Sequence, residues 1–301
     1  MGISTYNIKR WAKMLTGKSI YHVDQGLGQV IDAGGYYNDL TQKVLMGDAN
    51  LDEEGIPFLE HSDGSHVKMP TMIFQYGLGA YDLWLIKQEE KYQEIVRNCA
   101  DWACVNIQEN GAWNNFFYIY PDNPYCAMTQ GEGISLLVRA YDLFHSEKYL
   151  LCAQKAVRFL LLDSKDGGVA KYEGSDLILL EYTHLPVVLN GWIFALWGLY
   201  DYNRFFNDFI VKKAYDDSLR TLIGMLPMFS LSYWSKYDLK GMIASPFYHH
   251  LHIAQMKAMV KVSQHDVFGE YATKWEAEEK NLVNKSMAFM VKAVQKIVEK
   301  E

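Results

Sequence analysis

The feature that most restricts what this chain can fold into is a period. Three short words, GAYDL (79–83), RAYDL (139–143) and GLYDY (198–202), set Tyr81, Tyr141 and Tyr200 at intervals of 60 and 59 residues. Each word closes a long apolar stretch and is followed, after a short break, by a more polar amphipathic one. The apolar stretches begin near Thr71, Met128, Val187 and His249, and the amphipathic ones cover 91–108, 148–162, 208–226 and 268–300. A helix that is apolar all round needs burial on every side, and an amphipathic helix supplies the cover. One of each per period implies an array of αα-hairpins. The expected fold is therefore all-α: an (α/α) toroid of about four helical hairpins, with short β pieces in the loops between hairpins.

Residues 70–301 are expected to form this toroid, the catalytic domain, and residues 1–69 an N-terminal extension packed on it. The extension carries weak helical signals at 7–15 and 37–45, Gly-rich breaks, and a polar stretch at 48–64 that reads as a surface loop. Connections inside a hairpin are short. Those between hairpins (110–127, 163–185 and 229–247) are long and aromatic, with strand-like pieces at 113–120, 168–172 and 230–237. Long loops in a compact domain are usually functional. All three feed the start of an apolar helix, which places them together on one face, and the site with them.

Composition narrows the partners. Aromatic residues make up 14% of the chain, with 21 Tyr and 8 Trp, and such rings suit sugar faces as well as cores. The net charge of −7 argues against nucleic acid. A polyanionic substrate would need a local basic patch, and 229–264 offers Lys236, Lys240, Lys257 and Lys261 against Asp238. The four cysteines have no metal-ligand or CxxC spacing and read as reduced core residues of a cytoplasmic protein. The start of the chain, a short cationic amphipathic segment at 7–18, has no secretory h-region, and no apolar stretch reaches the ~20 residues of a membrane span. The alternation of charge at 268–301 fits an exposed outer helix or a homodimer face equally.

Three polar clusters stand at the starts of apolar helices. The first is Glu181, Tyr182, Thr183 and His184, ahead of Pro186, a residue suited to a first helical turn. The second is SKYDLKG (235–241) followed by SPFYHHLHIAQ (245–255). There Ser245-Pro246 reads as N-cap and first turn, and Tyr248, His252 and Gln255 share one helix face. Its H-H-x-H lacks the HExxH pattern and any carboxylate in register, so no metal is assigned. The third is YCAMTQGEGIS (125–135), with Gln130 and Glu132 at the helix mouth. Its glycines do not make GxGxxG, so no nucleotide and no other cofactor is assigned. Tyr76 occupies a comparable point of the first apolar helix, and Trp113 opens the first aromatic loop.

These residues carry a resemblance. YCAMTQGEGISLLVRAY (125–141), LEY…LPVVLNGWIFALWGLYDY (180–202), KYDLKG (236–241) and YHHLHIAQ (248–255), in this order, resemble the C-terminal catalytic region of the D-glucuronyl C5-epimerase family. QYGLGAYDL (75–83) and GYYNDLTQKV (35–44) extend the likeness to roughly 35–264. The family acts on heparosan and related glucuronate polymers, so the resemblance implies C5 epimerisation of D-glucuronate to L-iduronate residues in a uronic-acid polysaccharide. That reaction removes the proton alpha to the carboxylate and returns one on the opposite sugar face. It needs a base, an acid and groups that hold enolate-like charge.

Tyr182, Tyr237 and Tyr248 match the family's functional positions, and Glu181 is a rival base or the partner of Tyr182. Lys240, which stands where the family tends to have Arg, and His249 are candidates to neutralise the substrate carboxylate, and Asn190 and Gln130 to position sugar hydroxyls. Glu132, His252, Tyr76 and Trp113 complete the expected substrate-binding set. In detail, Tyr248 is expected as a phenolate base favoured by a His249 imidazolium, with Tyr182 as the acid and the site open at a rim of Glu181, Gln130 and His249. A uronate lyase, an (α/α) glycoside hydrolase using Glu132 and Glu181, and a non-catalytic sugar binder remain alternatives at this point.

Overall fold

The four apolar stretches become four helices of equal length. In the computed structural model, which describes residues 25–46, 50–60 and 64–298, they are α2 (Pro70–Lys87), α4 (Ala127–Phe144), α6 (Leu189–Phe206) and α8 (Pro246–Ser263), each of 18 residues. They follow a short helix α1 (Thr41–Leu45). Each is paired with an amphipathic partner: α3 (Glu90–Asn106), α5 (Glu147–Leu160), α7 (Phe209–Met225) and α9 (Asp266–Lys280). The inner helices pack on one another in chain order, and each outer helix packs on its own inner one. The fold is the all-helical (α/α) arrangement that the period implies.

All four hairpins turn in the same way. Gln88, His145, Asn207 and Gln264 adopt left-handed conformation at the end of the inner helix, each donating its N–H to the carbonyl four residues back. One extended residue (Glu89, Ser146, Asp208 or His265) then starts the outer helix. A two-residue link of this kind sends the chain straight back on itself, which is why the outer helix lies antiparallel on the inner one.

The expected boundaries hold at the inner helices with one exception and differ at the C-terminal end. Ser245 accepts from the Tyr248 N–H and Pro246 stands in the first turn of α8, the start expected from the sequence. Pro186, by contrast, does not open α6. Val187 and Val188 are extended instead, because Val188 pairs with Asp238 and the Val187 carbonyl accepts from Leu239. The stretch expected as one outer helix at 268–300 is two, α9 and α10 (Leu282–Val298), broken where Asn281 accepts from the Val283 and Asn284 N–H groups.

The β pieces fall partly elsewhere than expected. Strands β4 (Ala170–Glu173) and β5 (Asp176–Leu179) form a hairpin in the second long loop, and the third loop holds paired bridges, Ser230 with Ser235 and Lys236 with Ile243. The first loop carries turns and no strand at 113–120. Within 48–64, read as loop, β1 (Asn50–Leu51) and β2 (Pro57–Glu60) pair, and β2 continues onto β3 (His66–Val67). The helical signal at 7–15 lies outside the described residues.

Residues 32–37 tie the far ends of all four inner helices together. The Tyr36 N–H donates to Asp82 of α2, and the Arg139 guanidinium of α4 donates to the Gly35 carbonyl. The Tyr37 phenol donates to Asp201 of α6, and Lys261 of α8 pairs with Asp32 at 2.7 Å. Arg139 and Asp201 are themselves an ion pair at 2.6 Å, almost fully buried. Asp82, Arg139 and Asp201 belong to the three repeated words, so the words mark a structural staple. Where α4 crosses α6, a Cβ on Gly198 would overlap the backbone of Gly131, so this pair fixes the close approach of the two central helices.

Candidate active site

The opposite ends of the inner helices are joined by the long loops. The Thr71 N–H and hydroxyl at the start of α2 donate to Asn115 of the first loop, and the Thr71 and Thr129 hydroxyls lie 2.6 Å apart across α2 and α4. The Ala127 N–H, at the start of α4, donates to the Leu180 carbonyl beyond β5. The Leu189 N–H, at the start of α6, donates to the Tyr237 carbonyl in the third loop. Glu181 and Tyr237 are thereby brought to the mouth of α6 from loops on either side of it.

Glu181 is the centre of what results. It is buried, and Oε1 lies 3.5 Å from the Tyr237 hydroxyl while Asn190 Nδ2 lies 3.5 Å from Oε2. The Tyr182 phenol and the Gly191 N–H in the first turn of α6 also stand near enough to its carboxylate to favour the ionised form. A Cβ at residue 191 would overlap Oε2 of Glu181, so glycine there is what admits the carboxylate to the helix mouth. Burial pushes the Glu181 carboxyl up to about 7, against the pull of these neutral donors and of the positive helix end.

Tyr182, Tyr237 and Tyr248 surround this carboxylate as half-buried rings. Tyr237 and Tyr248 have centroids 4.8 Å apart, and Tyr182 stacks on Phe116 at 4.7 Å with planes 11° apart. The Tyr237 phenol is within hydrogen-bonding reach of both other phenols. Desolvation first, and the Glu181 charge second, hold all three phenols above their ordinary range, so they are proton donors at neutral pH. The site is a half-buried carboxylate–phenol cluster poised to exchange a proton near neutrality.

The remaining sequence-assigned residues divide. Asn190 joins the cluster, and Lys240 sits exposed in the turn after Tyr237. His249 does not line a rim and is not an imidazolium. It is fully buried, stacked on Trp234 at 3.6 Å, and desolvation lowers it to about 4. Its Nε2 faces the Trp275 carbonyl and must carry hydrogen, leaving Nδ1 to accept from the Ser235 N–H. His252 shares Ser235 through Nδ1 at 2.9 Å, is also fully buried, and is lowered to about 3 by burial. Both are neutral packing groups.

Gln130 likewise lies off the rim, buried to zero exposure, with Nε2 donating to Gly111 and Oε1 accepting from Trp113. Trp113 is fully buried with its indole N–H on the Ala103 carbonyl. Glu132 is fully buried with Gln75 donating to it at 2.7 Å. Tyr76 is 6% exposed and faces a cleft of about 1600 Å³ between α3, the β1–β3 strands and Phe117–Tyr118. That cleft is lined by Asp52, Glu53, Glu54, Glu94 and Asp101 together with Lys68 and Lys91, and by none of the three tyrosines, so the volume lies in one place and the proton chemistry in another. Chemistry decides: the carboxylate and phenols that can exchange a proton mark the candidate site.

Comparison with known proteins bears on the identity of this cluster. The family described as D-glucuronyl C5-epimerase C-terminus matches residues 109–277, which contain Glu181 and all three tyrosines. D-glucuronyl C5-epimerase of Caenorhabditis elegans is 28% identical over 220 residues, 64% of this chain and 36% of that protein. An uncharacterised protein of Methanocaldococcus jannaschii is 28% identical over 155 residues, 50% of each chain. This chain thus spans 36% and 50% of the lengths of these relatives. Among solved structures, a family 76 glycoside hydrolase from a bovine Bacteroides thetaiotaomicron strain aligns with TM-score 0.47 at 13% identity, over 66% of this chain and 44% of that one. An unsaturated glucuronyl hydrolase specific for heparin aligns with TM-score 0.47 at 11% identity, over 70% and 60%. Since residues 109–277 are more than half of the 301, the chain belongs to the D-glucuronyl C5-epimerase family, through that family's C-terminal region.

Proposed function

We propose that this chain epimerises C5 of D-glucuronate residues in a uronic-acid polysaccharide, converting them to L-iduronate, with Glu181 and Tyr248 as the two proton-transfer groups. The observation that carries the reading is the Glu181 carboxylate, buried among neutral donors with its acidity near 7. At neutral pH a large fraction is ionised and able to accept the C5 proton. The resulting carboxylate-stabilised carbanion resembles an enolate, and the Tyr182 and Tyr237 phenols are donors for the charge that develops. Tyr248, held protonated by burial and by the Glu181 charge, returns a proton from the other face. In the reverse direction the two exchange roles. This division replaces the phenolate expected at Tyr248, which needed a cationic His249 and meets a neutral one.

The buried state of Glu132 favours epimerase over hydrolase, since a hydrolase would need that second carboxylate in the cleft. The test is proton NMR of glucuronate oligomers incubated with the protein in D₂O. Deuterium at C5, new iduronate signals and unchanged chain length are expected. An unsaturated uronate product, or shortened chains without C5 deuterium, would overturn the reading in favour of a lyase or a hydrolase.

A further inference from the structure

The residues matched by the family end at 277, yet a helix beyond them reaches the site. One side of α10 is packed against the return strand of the loop that carries Tyr237. The Ile243 N–H donates to Gln295 Oε1 at 2.9 Å, and Gln295 Nε2 donates to the Gly241 carbonyl at 3.0 Å. Lys292 Nζ donates to the Ile243 carbonyl at 2.8 Å and stands 5.6 Å from the centroid of the Tyr237 ring. Ala288 is buried with Trp234, Ile243 and Ala244, and Val291, Tyr237 and Tyr248 pack on this group. The opposite strand of the same loop is fixed too. The Tyr237 N–H donates to the Met242 carbonyl, and Tyr237 in turn accepts from Leu189 at the start of α6.

We propose that α10 is a clasp for the active-site loop, in which Lys292 is a positioning residue for Tyr237. Gln295 fixes the backbone on both sides of Met242, so the strand paired with Tyr237 has one register. Lys292 adds what a neutral side chain would not: a cation over the ring face, which orients the phenol and favours electron density developing on its oxygen. The ammonium acts through Tyr237 and is not assigned a contact with the sugar. This inference rests on Tyr237 belonging to the site, but its structural part is testable whatever reaction the site performs.

The experiment uses the 301-residue chain with 3-fluorotyrosine placed at residue 237, as wild type, Lys292→Met, Lys292→Arg and Gln295→Leu. The ¹⁹F resonance at 237 is expected to shift in Lys292→Met and return toward the wild-type position in Lys292→Arg. In the non-fluorinated proteins, kcat for C5 deuterium exchange is expected to fall about 10-fold in Lys292→Met with KM within about twofold, and to be largely restored by arginine. Gln295→Leu is expected to broaden the ¹⁹F line through loss of register. If Lys292→Met fails to fold, the Gln295→Leu line and the arginine variant carry the test. An unchanged ¹⁹F shift in Lys292→Met, or an unbroadened line in Gln295→Leu, overturns the clasp. Clear ¹⁹F effects in a protein that exchanges no C5 proton would leave the clasp standing and sink the epimerase reading instead.

Discussion

Asp201 and Glu181, buried carboxylates near opposite ends of the inner helices, are held in opposite ways. At the ends where the helices finish, Arg139 faces Asp201 at 2.6 Å and donates also to the Ser135 and Gly35 carbonyls. At the ends where they start, the partners of Glu181 are neutral: phenols, an amide and a backbone N–H. A full counter-charge fixes a protonation state, because removing the proton balance would strand the other ion in low dielectric. Neutral donors only soften the desolvation of a carboxylate and leave its acidity near 7. The first arrangement holds a fold together, and the second holds a proton ready to move.

The largest expected effect comes from removing the unpaired charge. Glu181→Gln keeps the shape but replaces one acceptor oxygen with an NH2 donor and removes the base, so C5 deuterium exchange should drop roughly 10³-fold, about 4 kcal/mol in the barrier. Thermal stability should stay level or rise, since a desolvated carboxylate has gone. An exchange rate within tenfold of wild type would move the base to a tyrosine.

Arg139→Met tests the other end. It leaves Asp201 buried without its cation and breaks the link to Gly35, which should lower unfolding stability by ~3 kcal/mol. Urea denaturation measures this, and the folded fraction should keep its kcat. Normal stability with lost activity would reverse the roles given to the two ends.

Much of this was legible in the sequence, for reasons that differ by residue. The period of 60 and 59 residues reports the hairpin array because each unit repeats the same burial problem. Ser245-Pro246 reports a helix start because capping is local. The staple was not legible. Tyr37 and Asp201 are 164 residues apart, and no local pattern shows that the repeated words converge on Gly35-Tyr36-Tyr37. His249 misled because a helix N-terminus and three histidines look polar, whereas its environment is set by Trp234 and Trp275 from elsewhere in the chain. The break at Asn281 left a readable signal, an Asn ahead of an apolar run, that the charge alternation of 268–300 obscured.

A pH series sharpens the comparison further. Glu132 is buried between the two ends, with Gln75 donating to it, and desolvation raises it to about 8 against the opposing charge of Lys43. Its folded-state pKa therefore lies above the unfolded value, so protonation stabilises the fold. That contribution is complete below the unfolded value near 4 and is lost as pH rises through about 8. Glu132→Gln removes the titration, so the variant should gain ~2 kcal/mol on wild type between pH 6 and pH 8. Asp82, raised to about 7 by burial, shifts both proteins alike and cancels in the difference, whereas Lys43, lowered to about 8 by burial, and Glu181 feel the Glu132 charge and contribute to it. A difference that does not change with pH would mean that Glu132 is ionised in the fold and paired more like Asp201.

The smallest expected effect lies in the hairpin turns, which sit at the stapled end. Gln264 closes α8 at φ 58, a left-handed conformation that crowds the Cβ of an L-residue and costs about 1 kcal/mol. Glycine removes the crowding but gains more freedom in the unfolded chain, an opposing term of similar size. The balance for Gln264→Gly is a gain of ~0.5 kcal/mol, a rise of about 1 °C in Tm by calorimetry for a chain of this length. Exchange kinetics at C5 should be unchanged, because the turn lies at the far end of α8 from Tyr248. A fall in Tm would show that the Gln264 side chain contributes contacts that outweigh its backbone strain. A change in kcat at unchanged fold would break the separation itself, since it would mean that small shifts at the stapled end travel along α8 to the carboxylate–phenol cluster.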